Sequence, residues 1–158
     1  MILKGNQRGG ARQMALHLMN GEMNEHVELH EVRGFVSENI MGALNEIYAV
    51  SKGTQAKQFM YSLSLNPLGE EAASTADFET AIEKAEKKLS LEGQPRVVVF
   101  YEKEGRRHAH CVWSRIDSNE MKAIPMSHDH RKLKTLSKSL YLEHGWQMPR
   151  GFRNIKTQ

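Results

Sequence analysis

The chain is expected to fold as an α+β domain, a mixed or antiparallel sheet with helices packed against one face. Three observations carry that expectation. Short β-branched or alternating runs at 26–32, 59–65, 97–101 and 109–116 are interleaved with stretches of helical period. The last two runs are separated by a short turn containing Glu102-Lys103-Glu104-Gly105-Arg106, so they read as an antiparallel hairpin. A hairpin at the centre of the element order argues against a doubly wound parallel sheet, even though helices lie between the other strands.

Met1 to Lys4 reads as a short opening strand, and Gly5-Asn6-Gln7-Arg8-Gly9-Gly10 as a flexible polar turn. Ala11 to Asn20 holds helix formers, with Asn20-Gly21 as the stop signal. His26 to Val32 alternates with period two and ends at Arg33-Gly34. Ser37 can cap a helix running to about Ser51, with Ile40, Leu44, Ile47 and Tyr48 as its apolar stripe. A strand from Phe59 to Leu65 closes at Asn66-Pro67. Ser74 or Thr75 opens a helix with Phe78, Ile82, Ala85 and Leu89 at helical spacing, ended by Gly93 and Pro95. The hairpin strands Val97–Tyr101 and Ala109–Ile116 follow. Ala123-Ile124-Pro125 is expected to add an edge strand, and Lys132 to His144 to form a basic last helix.

With 158 residues and 39% hydrophobic content, the chain can bury one real core. No run approaches the ~18 apolar residues of a membrane span, and the first residues lack the pattern of a secretory signal. The single cysteine, Cys111, rules out an internal disulfide and suits a reducing cytoplasm. Net charge is only +3, but lysines and arginines crowd the C-terminal third while acids gather at 22–46 and 70–92. Such segregation points to a polyanionic partner, or else to ordinary solvated helix faces.

The most informative stretch is Arg107-His108-Ala109-His110-Cys111-Val112-Trp113-Ser114. On a strand, His108 and His110 share one face, roughly 6–7 Å apart along the backbone. Two imidazoles on a rigid platform can converge on a mid-series divalent metal; alternatively they are the polar face of an amphipathic strand. Cys111 and Trp113 alternate away from the pair and read as core. His26 and His30, at i and i+4 on one strand, read as a polar face or a support rather than a metal site. His128-Asp129-His130 reads as a polar loop before a helix, where Asp129 can cap.

The run from Glu102 to Asp117 that holds His108-Ala109-His110 resembles the metal motif of the HUH endonucleases. Lys4 to Gly10, followed by Ala15-Leu16-His17-Leu18, resembles that family's nucleophile motif. Within it, the chain is most similar to the mobilisation relaxases of the MobA/VirD type that nick plasmid DNA. The resemblance spans the chain as a single relaxase-like domain, residues 1–158, either whole or as the N-terminal part of a longer protein. It implies a two-layer α+β sandwich in a bacterial cytoplasm. It implies metal-dependent nicking and joining of single-stranded DNA at a transfer origin, through a covalent protein–5′-phosphate intermediate, with a divalent Mn or Mg ion as cofactor. Accessory relaxosome or coupling proteins are the further partners implied, and no membrane is. The alternative is a relaxase-fold protein that binds DNA without cutting it.

Two departures from the family motif bear on the site. Tyr101 stands where a third histidine is expected, seven residues before His108, so the metal would be held by His108 and His110 with water, with Tyr101 as phenolate, or with Glu102. Glu102 needs a bulge to reach that face. The chain has no tyrosine before Tyr48, and His17 occupies the nucleophile's place. A neutral imidazole can attack phosphate to give a phosphoramidate, and Tyr101 is the next candidate. Arg8, Arg12, Arg106, Arg107, Arg131, Lys132 and Lys134 are the expected DNA contacts, which would position phosphates without reading sequence. Trp113 and Trp146 are the possible base-stacking rings.

Overall fold

The computed structural model describes residues 1–19, 25–68 and 71–149, the side chain of Glu25 apart. Its order is β1 (Ile2–Arg8), α1 (Ala11–Leu18), β2 (Glu25–Arg33), α2 (Ile40–Ser51), β3 (Met60–Asn66), α3 (Thr75–Lys88), β4 (Arg96–Lys103), β5 (Arg106–Ser114), β6 (Ile116–Asp117), β7 (Lys122–Ala123) and α4 (Asp129–His144). Five strands form one sheet in the order β1-β3-β5-β4-β2, every neighbouring pair antiparallel. The α+β class and the antiparallel sheet are therefore as the periodicity predicts.

The helices do not share one face. Val98 and Phe100 of β4, with Ala109, Cys111 and Trp113 of β5, pack in a cluster with Phe78 and Ile82 of α3 and Leu133 and Leu136 of α4. Val97, Val99 and Val112 point the other way, into a second cluster with Ala15 and Leu18 of α1 and Ala43, Leu44 and Ile47 of α2. A run such as Val97-Val98-Val99-Phe100 is apolar on both faces of its strand, so both faces need cover. The expected two-layer sandwich is thus a sheet with two helices on each side.

The opening segment also differs from expectation. β1 runs unbroken through Gly5 to Arg8 and pairs residue by residue with β3, from Ile2 opposite Asn66 to Arg8 opposite Met60. Gly5 is there for space: a Cβ would lie 2.1 Å from Tyr61 Oη and 2.7 Å from Leu133 Cδ1. The Tyr61 hydroxyl donates to Asp129 at 2.8 Å, which ties β3 to the start of α4. Gly5→Ala is expected to destabilise the domain by about 1–3 kcal/mol through overpacking, checked by urea unfolding, with Gly5→Ala/Tyr61→Phe recovering part of the loss.

Smaller boundaries move for identifiable reasons. Asn39, not Ser37, caps α2, because its Oδ1 accepts from Gly42 N at 2.7 Å. Ser74 caps α3 in a full capping box with Asp77. β5 stops at Ser114, since the Arg115 guanidinium donates to Gln7 Oε1, Gln58 O and Ile124 O. The expected edge strand at Ala123–Pro125 is instead Lys122–Ala123, paired with Ile116–Asp117 in a separate two-stranded sheet. The stop signal at Asn20-Gly21 lies outside the described residues. Between β2, β4 and α3, buried Glu86 accepts from Arg33, from Arg96 Nη1 at 3.0 Å and from Trp113 Nε1 at 2.8 Å. Arg96 also reaches Glu31 at 2.5 Å and Glu83 at 2.6 Å.

Candidate active site

On the α1/α2 face the strands change character toward β1 and β3. Lys4, Asn6 and Arg8 of β1 alternate, as do Ser62, Ser64 and Asn66 of β3, and these polar rows lie beside the histidine strand. Lys4 opposes Ser64, which opposes His110, which opposes Val99. The result is a cavity of about 430 Å³ bordered by Lys4, Arg8, His17, Ser62, Tyr101, Lys103 and His110. Three cations face it, and none of the described residues lining it carries a carboxylate. Such a cavity favours an anion, and a phosphodiester is an anion of suitable size.

His110 is buried, and its Nε2 meets Ser62 Oγ at 2.5 Å. Burial, then the neighbouring His17 and Arg8, pulls its imidazole down to about 3 from the ordinary 6.5. The folded protein therefore keeps His110 neutral, while the unfolded chain takes up a proton below pH 6.5. Stability should be unaffected by this group above that pH and should fall as pH drops from 6.5 toward 3, by up to about 1.4 kcal/mol per pH unit. Urea unfolding across that range checks it, with His110→Gln flattening the slope.

His108 is equally buried, and its tautomer is legible. The Asn66 amide donates from Nδ2 to Ser64 Oγ at 3.1 Å and to Ile2 O at 3.4 Å, which leaves Asn66 Oδ1 to accept from His108 Nδ1 at 2.9 Å. The proton thus sits on Nδ1, and the Nε2 lone pair is buried without a hydrogen-bond partner. Burial, then Arg106, lowers this imidazole too. A neutral ring with one nitrogen held by an amide oxygen and the other bare is the state a metal-bound histidine needs. The donor set fits a divalent ion at two imidazoles. It is short of a closed protein site, for among the described residues no three His, Cys, Asp or Glu side chains group to hold a metal.

The other expected site residues divide between the two faces. Tyr101 lies directly across from His108 and stacks on it, ring centroids 5.3 Å apart and planes 11° from parallel. It is the one tyrosine of the four that borders the cavity, but burial raises its phenol, which works against a phenolate ligand. Glu102 pairs with Arg107 in an unbroken register, so no bulge turns it toward the histidines. His17, on the last turn of α1, is exposed at the cavity, its ring edge-on to His110 with centroids 5.6 Å apart. Arg8 borders the cavity, and Arg12 borders a second cleft at the start of α1.

Several expected DNA contacts are elsewhere. Arg107 alternates away from His108, lies 3.9 Å over the Phe100 ring and donates to Thr75 Oγ1. Arg106 donates to Pro67 O beside the turn. Arg131, Lys132 and Lys134 ride on α4, whose buried Leu133 and Leu136 pack on the opposite side of the sheet. Trp113 is wholly buried on that side too, and Trp146 stacks on His144. His30 packs on Phe100 and meets Glu79, while bulges in β2 break the alternation that would align it with His26. Asp129 is the first residue of α4 rather than its cap. Lys4, Lys103, Ser62 and Asn66 also border the cavity, and none of them stands out as a site residue in the sequence. The signal was present in the alternation of Lys4-Gly-Asn6-Gln-Arg8 and Ser62-Leu-Ser64-Leu-Asn66, masked in the first case by the glycines.

An antiparallel sheet carries two buried imidazoles on one face, one of them bordering a cavity lined by three cations. The family model of the relaxase MobA/VirD2-like nuclease domain matches residues 17–146, and the chain belongs to that family. No curated protein matches it. A DNA-nicking role follows from the family, and among the described residues no helix is long and apolar enough to cross a membrane.

Proposed function

We propose that the protein nicks and rejoins one DNA strand at a transfer origin through a covalent protein–5′-phosphate intermediate. The observation that supports this most is the cavity itself, where an exposed histidine, a buried neutral histidine and three cations meet. Lys4, Arg8 and Lys103 would hold the backbone phosphates on either side of the scissile bond. His17 would attack phosphorus through its neutral nitrogen. A P–N bond forms as the P–O3′ bond breaks; the imidazole proton is lost to solvent and the departing 3′ oxygen gains one from solvent. Rejoining is the reverse, with the 3′ hydroxyl displacing the imidazole.

His108 and His110 would hold the divalent ion, for which nitrogen donors favour Mn²⁺ over Mg²⁺. When bound there, such an ion supplies Lewis-acid polarisation of the phosphate oxygens. Asn66 keeps His108 in the ligating tautomer, and Ser62 orients His110. Tyr101 lies against His108, and among the described residues the two imidazoles have no third His, Cys, Asp or Glu grouped with them, which favours a second reading: a relaxase-fold protein that binds DNA without cutting.

The experiment is adduct formation with single-stranded origin DNA and Mn²⁺. A covalent adduct is expected that resists denaturant but is lost in mild acid, as a P–N bond is and a tyrosine phosphodiester is not. His17→Ala should abolish it and Tyr101→Phe should retain it. An acid-stable adduct that disappears in Tyr101→Phe would move the nucleophile to Tyr101. DNA binding with no adduct under any metal would establish the second reading.

A further inference from the structure

We propose that the cleft at the start of α1 is a nucleobase subsite for the single strand whose phosphates the neighbouring cavity holds; this rests on the DNA-processing reading above. The cleft, about 300 Å³, opens between the first turn of α1 and the side of α2 and is lined by Arg12, Gln13, Asn45, Tyr48, Phe59 and the Gly9-Gly10 backbone. Tyr48 is 45% exposed on a helix whose Ile40, Ala43, Leu44 and Ile47 supply the core, so its ring is surplus to packing.

The chemistry of the walls suits a base. The Tyr48 and Phe59 rings lie 5.7 Å apart and tilted by 39°, and Lys52 Nζ stands 4.7 Å from the Tyr48 centroid. Aromatic faces beside cations are the usual platform for unpaired bases, which stack whatever their identity. The Asn45 and Gln13 amides each offer a donor and an acceptor for a base edge. Arg12 and Lys52 bring charge for the attached phosphate, and no carboxylate lines this cleft among the described residues. The Gly9 backbone is pressed against the next segment, since a Cβ there would lie 2.1 Å from Lys57 O, and this brings the chain after Arg8 to the cleft wall. Arg8 borders the cavity and the next two residues, Gly9 and Gly10, border the cleft, so the two sites adjoin along the chain and one strand would meet both.

The test is binding of a short single-stranded oligodeoxythymidylate carrying one fluorescent adenine analogue, moved along the strand, at low salt. Wild-type protein should quench the analogue at one position. Tyr48→Ala should lose that quenching and bind about five- to a hundredfold more weakly, while Tyr48→Phe keeps both. Wild-type binding that is unchanged in Tyr48→Ala would overturn the subsite and leave the DNA reading standing. Absence of wild-type binding would overturn both.

Discussion

His108→Ala and His110→Ala are each expected to lower nicking of single-stranded origin DNA by at least about a hundredfold while leaving DNA affinity at low salt nearly unchanged. The asymmetry follows from where the groups lie. In the proposed function phosphate binding rests on Lys4, Arg8 and Lys103, which border the cavity and which neither substitution touches. In the same proposal, stabilisation of charge at the scissile phosphate rests on the ion that the two imidazoles would hold, and losing one such stabilising group typically costs about 10²–10³ in rate. His108→Ala removes the bare Nε2 and strands Asn66 Oδ1, so it should also weaken Mn²⁺ binding measured by calorimetry without DNA. Arg8→Ala makes the opposite pattern: weaker binding and a smaller salt dependence, by about 0.7 in the logarithmic slope for each phosphate no longer neutralised. Equal loss of affinity and rate in the histidine variants would mean that they act by holding the cavity's shape.

Glu86→Ala should be the most destabilising single change outside the site, by about 3–5 kcal/mol in urea unfolding. Glu86 is 4% exposed and accepts from Arg33, Arg96 and Trp113 at once. Its removal leaves two guanidinium groups and an indole N–H facing a carboxylate that is gone, in a place water reaches poorly. Glu86→Gln keeps an acceptor and should lose less. The cluster lies on the α3 side, away from the cavity, so Glu86→Gln should leave nicking per folded molecule unaltered; a fall would show that β4 transmits its packing to Tyr101 and His108.

Much of this architecture was legible because it follows from local rules. Strand periods placed β2, β3, β4 and β5, helix spacing placed α2 and α3, and alternation alone put His108 and His110 on one face with Trp113 and Cys111 on the other. What failed were cases where a local signal had two meanings. Gly5, Gly9 and Gly10 suggest a flexible turn, but Gly5 is small because Tyr61 and Leu133 approach it. The basic C-terminal third suggested one DNA-binding side, yet the sheet passes through it: Lys103 borders the cavity while Arg107 and α4 belong to the other face.

By itself, then, the sequence determined the antiparallel hairpin, the shared face of the two histidines and the family, since all three depend on residue types at short fixed spacings. Tertiary structure decided which side chains stand opposite that face. The pairing of β1 with β3 and of β3 with β5 brings Lys4, Ser62 and Asn66 to histidines far along the chain, and no local pattern encodes that register. It also decided that His110 is neutral, because burial and the neighbouring His17 and Arg8 lower its imidazole, and these exist only in the folded chain.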